Sequence, residues 1–208
     1  MKNLDTNKAI LWDFDGVIFD SMPVRDFGFM EVLKNYPQNE VAQLMEYHRQ
    51  NGGLSRYVKF RYFFEVIRHE NVTDEKVQQL ANQFSAIMRA ELIKPQYIIQ
   101  QTLDYIKKEY LQRPMHIISG SDENELKYIC MSQKIDHYFL SIHGSPTAKP
   151  ILIREVMTAN QYKSEDAIYI GDSINDYHAA TSCEIPFLGF NNLQLMEICG
   201  SENYIYGF

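Results

Sequence analysis

Two aspartates, Asp13 and Asp15, stand one residue apart at the end of a short apolar run, Ile10-Leu11-Trp12, and a glycine follows them. Alternation of side chains along a strand places both carboxylates on one side of the chain. Carboxylates this close repel each other unless a cation or a proton lies between them. A buried strand that ends in such a pair is unfavourable for the fold, and this indicates a chemical use.

Three further groups of polar residues follow or precede structured segments later in the chain. They are Ser119-Gly120-Ser121 after residues 116–118, Lys149 before Pro150, and Asp172 and Asp176 after residues 167–170. Phosphoryl transfer uses such a set. A carboxylate can attack phosphorus, and a second group can protonate the leaving oxygen. Magnesium, a lysine and the free N–H groups of a Ser-Gly turn can hold the phosphate oxygens.

The elements that must position these residues alternate between strands and helices. Strands are predicted at residues 9–14, 115–118, 138–142, 167–170 and 187–190, the last strand, and helices at about 98–106, 122–133, 150–161 and 175–182. This order predicts an α/β fold: a Rossmann-like, mainly parallel sheet with helices on both faces. Ligands bind beyond the carboxyl ends of strands in such sheets, where Asp13, Ser119 and Asp172 fall.

Residues 22–94 lack a comparable strand, and their apolar residues recur at helical spacing. Gly52-Gly53 interrupts this region, and Thr73 before Asp74 is typical of a helix N-cap. We therefore predict an α/β core formed by residues 1–21 and 95–208. Residues 22–94 are predicted to form a helical domain inserted after the first strand.

Composition excludes several classes of protein. The chain has 208 residues, a net charge of −7 and no basic stripe, which disfavours binding to nucleic acid. No segment approaches the ~18 apolar residues of a membrane span, and residues 1–8 lack a signal-peptide core. Three cysteines without close spacing argue against disulfides or a zinc site. A cytoplasmic protein is expected, either a monomer or a dimer.

The four motifs, in this order, resemble those of haloacid-dehalogenase superfamily phosphatases. The motifs are Asp13-Phe14-Asp15-Gly16-Val17, Ser119 in Ile118-Ser119-Gly120-Ser121, Lys149 before Pro150, and Gly171-Asp172-Ser173-Ile174-Asn175-Asp176. The helical insertion resembles the family's α-helical cap of the phosphoglycolate phosphatase and β-phosphoglucomutase type. The resemblance covers nearly the whole chain.

The resemblance implies a role for each acidic motif residue. Asp13 would be the nucleophile, and Asp15 the general acid and base. Magnesium would bind Asp13, the backbone carbonyl of Asp15 and Asp172. Asp176 would support the metal site, as a ligand or through water.

Other positions of the resemblance concern the substrate. Ser119, Gly120 and Lys149 would bind the transferring phosphate. Gly53-Leu54-Ser55-Arg56 resembles a Gly-x-Ser-Arg turn that reaches over the active site in β-phosphoglucomutase-like members. Arg56 and Lys59 are thus candidates for contacts with the distal part of the substrate, since a guanidinium binds a second anionic group well.

The expected activity is magnesium-dependent hydrolysis of a small phosphorylated metabolite, either a sugar phosphate or a phosphoglycolate-like acid, through an aspartyl phosphate. One alternative is a β-phosphoglucomutase-like phosphomutase. Another is a non-catalytic binding protein on the same scaffold. A phosphonatase is less favoured, because it would need a Schiff-base lysine in the insertion. The lysines there have no distinctive setting in the sequence: Lys34, Lys59, Lys76 and Lys94.

Overall fold

The computed structural model describes Leu4 and residues 8–208. Its strands are β1 (Ala9–Trp12), β2 (Met115–Asp122), β3 (Ser141–Ser145), β4 (Ala167–Gly171), β5 (Phe187–Phe190) and β6 (Tyr204–Ile205). Within the described residues they form one sheet of six strands in the order β3-β2-β1-β4-β5-β6. Every neighbouring pair is parallel. The chain changes its direction of winding at β1, so the ends of β1, β2 and β4 meet at the crevice where such sheets bind ligands.

Five α-helices of the described residues lie between β1 and β2, and the first four of them form the helical insertion. These four are α1 (Met22–Val32), α2 (Gln38–Gln50), α3 (Arg56–Tyr62) and α4 (Asp74–Glu91). The side chains of Ser55 and Thr73 accept hydrogen bonds from backbone N–H groups at the starts of α3 and α4, which satisfies donors that a helix leaves free. The predicted N-cap at Thr73 is confirmed.

Five helices follow in the rest of the chain and cover the sheet. They are α5 (Gln100–Glu109), α6 (Glu123–Ser132), α7 (Lys149–Ala159), α8 (Ile174–Ser182) and α9 (Leu193–Cys199). Successive residues of β1 point to opposite faces. Ile10 and Trp12 pack in one buried cluster with Ile106 of α5, whereas Leu11 packs in a second cluster with Val156 of α7. The parallel sheet with helices on both faces, predicted from the sequence, is confirmed.

Two sequence predictions about strands were wrong. The third strand was expected at residues 138–142, but Asp136–Tyr138 forms a short 3-10 turn and the strand begins at Ser141. The strand at residues 187–190 is not the last, since β6 pairs beside it. A strand of two residues shows no alternation, so no sequence pattern could reveal it.

No helix of the described residues is long and apolar enough to cross a membrane. The prediction that residues 1–8 lack a signal peptide falls almost entirely outside the residues that the structure describes.

Candidate active site

Asp13 and Lys149 face each other at the carboxyl end of β1. Asp13 directly follows the strand, and its N–H donates to the carbonyl of Ile170 in β4 at 2.9 Å. Lys149 is the first residue of α7, and its Nζ lies 2.9 Å from Asp13 Oδ1. Both side chains are buried. The ammonium group therefore offsets the charge of a carboxylate that has little access to water.

Asp176 is a second carboxylate partner of Lys149, whose Nζ also donates to Asp176 Oδ1. Asp176 lies in the first turn of α8 and is completely buried. Its Oδ2 accepts hydrogen bonds from the N–H and the Oγ of Ser173, at 3.1 and 2.6 Å. The hydroxyl of Tyr169 donates to Oδ1 at 3.3 Å. Both oxygens of Asp176 thus already accept hydrogen bonds from the protein.

Asp172 lies against Gly16, in the turn formed by the first motif. Gly16 has a φ of +76°, and a Cβ at this position would stand 1.9 Å from Asp172 Oδ2. Glycine is therefore needed both for the backbone conformation and for the room that the carboxylate occupies. The side-chain amide of Asn192 donates to the Asp172 carbonyl at 2.8 Å and fixes the backbone there.

Asp13, Asp172 and Asp176 form one cluster of carboxylates. An oxygen from each lies within 4.8 Å of the others, and no second cluster of this kind exists among the described residues. Burial, together with the charge of Asp176, raises the pKa of Asp13 to about 7. Burial and the charges of Asp13 and Asp176 hold the pKa of Asp172 well above its usual range. Three carboxylates with one lysine leave an excess of two negative charges when all are ionised.

Asp15 is held differently from Asp13. Its Oδ1 accepts hydrogen bonds from Ser21 and from Arg25 Nε, the latter at 2.6 Å, and its Oδ2 accepts one from Ser121 at 2.5 Å. Burial raises the pKa of Asp15, but the charge of Arg25 and these hydrogen bonds outweigh it and leave the pKa below its usual value. Asp15 is thus favoured as a carboxylate.

The loop before α3 reaches across to the strand ends. A Cβ on Gly120 would lie 2.4 Å from the carbonyl oxygen of Gly53. A Cβ on Gly53 would in turn lie 2.6 Å from Ser173 Oγ and 3.5 Å from Lys149 Nζ. Ser119 is completely buried, and its Oγ accepts a hydrogen bond from the N–H of Ser121. The helical insertion therefore contacts the motif residues themselves.

Arg56 forms an ion pair that the sequence did not indicate. Its Nη1 and Nη2 donate to the two oxygens of Glu125 in α6, at 2.5 and 2.8 Å. Nη1 also donates to Ser85 Oγ at 2.7 Å, and the guanidinium lies over the Phe84 ring. Arg25 Nη1 lies 3.3 Å from Glu125 Oε1. One buried glutamate therefore serves two arginines of the helical insertion.

Lys59 has a distinctive setting, contrary to what its sequence context indicated. Its side chain is buried, and Nζ lies 2.7 Å from Nδ1 of His48 in α2. Burial, reinforced by the charge of Arg25, lowers the pKa of Lys59 to about 7. Burial and the charge of Lys59 lower the pKa of His48 to about 2, so this imidazole is neutral. Lys59 has no carboxylate within ion-pair distance among the described residues.

A cavity of about 310 Å³ connects these groups. Of the site residues predicted from the sequence, it is lined by Asp13, Asp15, Arg56, Lys59, Gly120, Lys149 and Asp172. Ser119 and Asp176 lie behind this lining. Sequence reasoning missed Arg25, His48 and Glu125. Arg25 and His48 occupy buried positions of α1 and α2, and Glu125 follows the second motif by four residues, but no sequence pattern marks these residues as functional.

Comparisons with known proteins agree with this arrangement. Residues 10–190 match the family model described as haloacid dehalogenase-like hydrolase. Phosphoglycolate phosphatase 1 of Pseudomonas aeruginosa is 24% identical over 196 residues, which cover 89% of this chain and 71% of that protein. The structure of β-phosphoglucomutase from Clostridium difficile has a TM-score of 0.79 at 14% identity, covering 97% of this chain and 92% of that chain. That of a predicted phosphoglycolate phosphatase from Haemophilus somnus has a TM-score of 0.72 at 19% identity, covering 89% and 86%. Identities this low make both structures a likeness in fold alone.

Proposed function

Because the chain belongs to the haloacid dehalogenase-like hydrolase family, we propose that it is a magnesium-dependent phosphatase of a small phosphorylated metabolite. The observation that carries the proposal is the meeting of Asp13, Lys149 and Asp172 around one cavity, although they are far apart in the sequence. Family membership and the curated phosphatase relative support hydrolysis of a phosphate monoester. The intermediate is an aspartyl phosphate on Asp13.

The carboxylate cluster suits Mg²⁺. Magnesium prefers oxygen ligands and is held by few carboxylates together with substrate phosphate. Asp13 and Asp172, with the backbone carbonyl of Asp15, would hold the ion, and Asp176 would support them as a ligand or through water. When bound, the ion would offset the charge of the nucleophile and of the phosphate. The three carboxylates and one lysine carry an excess of two negative charges, which a divalent cation would balance.

The residues of this site then divide the reaction between them. An oxygen of Asp13 attacks phosphorus, and the bond from phosphorus to the ester oxygen breaks. Asp15 must first take up a proton, which its contacts with Arg25 and Ser121 disfavour; it then gives this proton to the departing oxygen, and its carboxylate later accepts one from the water that hydrolyses the aspartyl phosphate. Inorganic phosphate leaves, and both side chains return to their initial states. Lys149 and the N–H of Gly120 hold phosphate oxygens, and Ser119, behind the cavity lining, supports this turn through the hydrogen bond that it accepts from the N–H of Ser121.

We also propose that residues 22–94 act as a cap domain over a core of residues 1–21 and 95–208. The contact of Gly53 with Gly120 and Ser173 supports this division, because it places the insertion over the strand ends. Closure of the cap would exclude water from the reacting phosphate. Arg56 and Lys59 lie where the part of the substrate beyond the phosphate would enter.

Replacement of the nucleophile tests the activity. Asp13→Asn should lower the hydrolysis of para-nitrophenyl phosphate, measured with magnesium, by on the order of a thousandfold or more while the protein stays folded. Chelation should abolish the wild-type activity, and added magnesium should restore it. Asp20→Asn is the matched control, since Asp20 is exposed in the same segment. Equal activity of the Asp13 and Asp20 variants would refute the nucleophile, whereas a wild-type protein without activity on any phosphate ester would favour the non-catalytic alternative.

Product analysis separates a phosphatase from a phosphomutase. A phosphatase releases inorganic phosphate from every active substrate in proportion to the alcohol formed. A β-phosphoglucomutase-like enzyme would isomerise a hexose 1-phosphate without releasing phosphate. Product analysis by ion-exchange chromatography, alongside a phosphate assay, therefore decides between them.

A phosphonatase is the second candidate, and the buried amine of Lys59 is the observation that favours it. A lysine with a pKa of about 7 is partly neutral at physiological pH and can attack an aldehyde. Borohydride reduction in the presence of phosphonoacetaldehyde should then attach a stable adduct to Lys59, visible by peptide mass spectrometry. Lys34→Met should not change this labelling, since Lys34 is exposed and paired with Glu31. Absence of an adduct on Lys59 would exclude this candidate.

A further inference from the structure

Glu125 cancels the positive charge of the helical insertion from behind the cavity. Arg25 and Arg56 both line the cavity, whereas Glu125 is completely buried and does not. Both terminal nitrogens of Arg56 donate hydrogen bonds to the Glu125 carboxylate. Arg25 lies between Glu125 and Asp15 and pairs with both. Two guanidinium groups thus face two carboxylates, Asp15 and Glu125, and the set has no net charge.

The remaining basic groups beside this set do not replace the lost charge. Lys59 Nζ is hydrogen-bonded to the neutral ring of His48, and burial of Lys59 disfavours its ammonium form. Arg49 is mostly exposed and pairs with Asp26. Lys149 is engaged by Asp13 and Asp176. Within the described part of the chain, no arginine that lines the cavity is both buried and free to pair with a second anion, and Lys59 is the one buried cation there without a carboxylate partner.

The same wall still offers hydrogen bonds and apolar contacts. Nη2 of Arg25 is buried and has no hydrogen-bond partner among the described residues. The side-chain amides of Gln50 and Asn192 also line the cavity, and Phe29 and Phe84 contribute apolar surface. Neutral donors and acceptors beside aromatic rings suit hydroxyl groups and the C–H faces of a polyol.

We propose that Glu125 determines specificity by cancelling the charge of the arginines in the distal half of the cavity, so that the enzyme selects phosphate monoesters of neutral hydroxylated compounds and discriminates against a second anionic group. This inference rests on the proposed phosphatase function. The sequence led us to expect that Arg56 binds a second anionic group of the substrate. In the structure its charge is paired with Glu125, so Arg56 offers hydrogen bonds and no unpaired charge. Phosphoglycolate and bisphosphates are accordingly poor substrates.

The wild-type enzyme tests this without any substitution. Glycerol 3-phosphate and 3-phosphoglycerate share a three-carbon frame and a primary phosphate ester, but only the second carries a carboxylate. We expect kcat/KM to be about tenfold or more higher for glycerol 3-phosphate, chiefly through KM, because a carboxylate in this half of the cavity loses water without gaining an unpaired guanidinium as counter-charge. A preference for 3-phosphoglycerate would overturn the inference and leave the phosphatase intact. Hydrolysis of neither compound nor of para-nitrophenyl phosphate would overturn both.

Substitutions identify Glu125 as the cause. Glu125→Gln should lower the ratio of the two kcat/KM values by about tenfold, because it leaves the two arginines with unpaired charge. Glu109→Gln removes a similar charge from a pair with Arg113 that does not line the cavity, and it should leave the ratio unchanged. An equal ratio in both variants would contradict the proposal.

Arg56 provides a test of opposite sign, which stands even where Glu125→Gln fails to fold. Arg56→Gln leaves Glu125 in excess and should raise the preference for glycerol 3-phosphate several-fold. The double variant Arg56→Gln with Glu125→Gln changes no net charge and should keep the wild-type ratio. An ion pair that only joins the insertion to α6 would lower stability in these variants without moving the ratio in opposite directions. That pattern would refute the assignment.

Discussion

The two halves of the cavity handle charge in opposite ways. At the strand ends, Asp13, Asp172 and Asp176 share one lysine and carry an excess of negative charge. On the side of the helical insertion, Arg25 and Arg56 are matched by Asp15 and Glu125. The first half is incomplete without an added cation, whereas the second is complete by itself. The nucleophile and the metal ligands that we propose therefore lie in the half with excess charge, whereas the balanced half combines Asp15, the proposed general acid and base, with the residues proposed to select the substrate.

The largest expected effect comes from relieving the excess charge at the strand ends. Asp172→Asn should lower phosphatase activity at least about a hundredfold, because it removes a metal ligand. The same substitution should raise the free energy of unfolding by about 1 kcal/mol in chelator at pH 7, because it removes one of three crowded carboxylates. Activity assays and urea denaturation measure the two quantities.

The pH dependence of this stability gain follows from the sign of the pKa shift. The pKa of Asp172 is raised in the folded state, so its contribution is favourable at low pH and is lost as pH rises through that pKa. The gain from Asp172→Asn should accordingly shrink as pH falls toward 4. Asp104→Asn is the control, since Asp104 is exposed on α5. Lower stability of the Asp172 variant at pH 7 would show that the strand-end cluster is not strained.

The half of the cavity in which the charges are balanced should lose stability when one charged side chain is removed. Glu125→Ala leaves two buried arginines without their shared partner, and we expect it to cost about 3 to 5 kcal/mol of unfolding free energy. Replacing Arg56 and Glu125 together by methionine should cost much less, because no unpaired charge remains between them. Equal losses in the single and double variants would mean that unpaired charge is not the cause of the lost stability.

The meeting of the two halves should be sensitive to the Gly52-Gly53 loop. A Cβ on Gly53 would press on Ser173 and Asn175, whereas a Cβ on Gly52 would meet only an ordinary contact at 3.8 Å. Gly53→Ala should therefore lower kcat/KM by about tenfold while stability changes little, because misplacing a closing loop slows the reaction. Gly52→Ala is the matched control. Similar kinetics of the two variants would show that this contact does not position the insertion.

The same contrast explains what the sequence could reveal. The parallel sheet and the strand-end residues follow from local apolar runs, and the topology of such sheets brings Asp13, Lys149 and Asp172 to one edge. The partner of Arg56 was not predictable, because Glu125 lies on α6, 69 residues away. No local spacing relates these two residues, and their meeting depends on how the helical insertion packs on the core. The setting of Lys59 was missed for the same reason, since its burial and its contact with His48 arise only in the packed insertion.

The smallest effect concerns Lys59, the basic group that belongs to neither ion-pair system. Its pKa is about 7 in the folded state and that of a free lysine is near 10.5, so between these values the unfolded chain binds more protons. The free energy of unfolding should therefore gain up to about 1.4 kcal/mol per pH unit from this group above pH 7. Lys59→Met should remove that rise and should be at least as stable as the wild type at pH 6.

Lys34→Met, at an exposed lysine, should keep the wild-type pH profile. Urea denaturation of the three proteins between pH 6 and 9 measures the difference. Parallel profiles for all three would mean that Lys59 stays protonated, and the distal half of the cavity would then carry a positive charge.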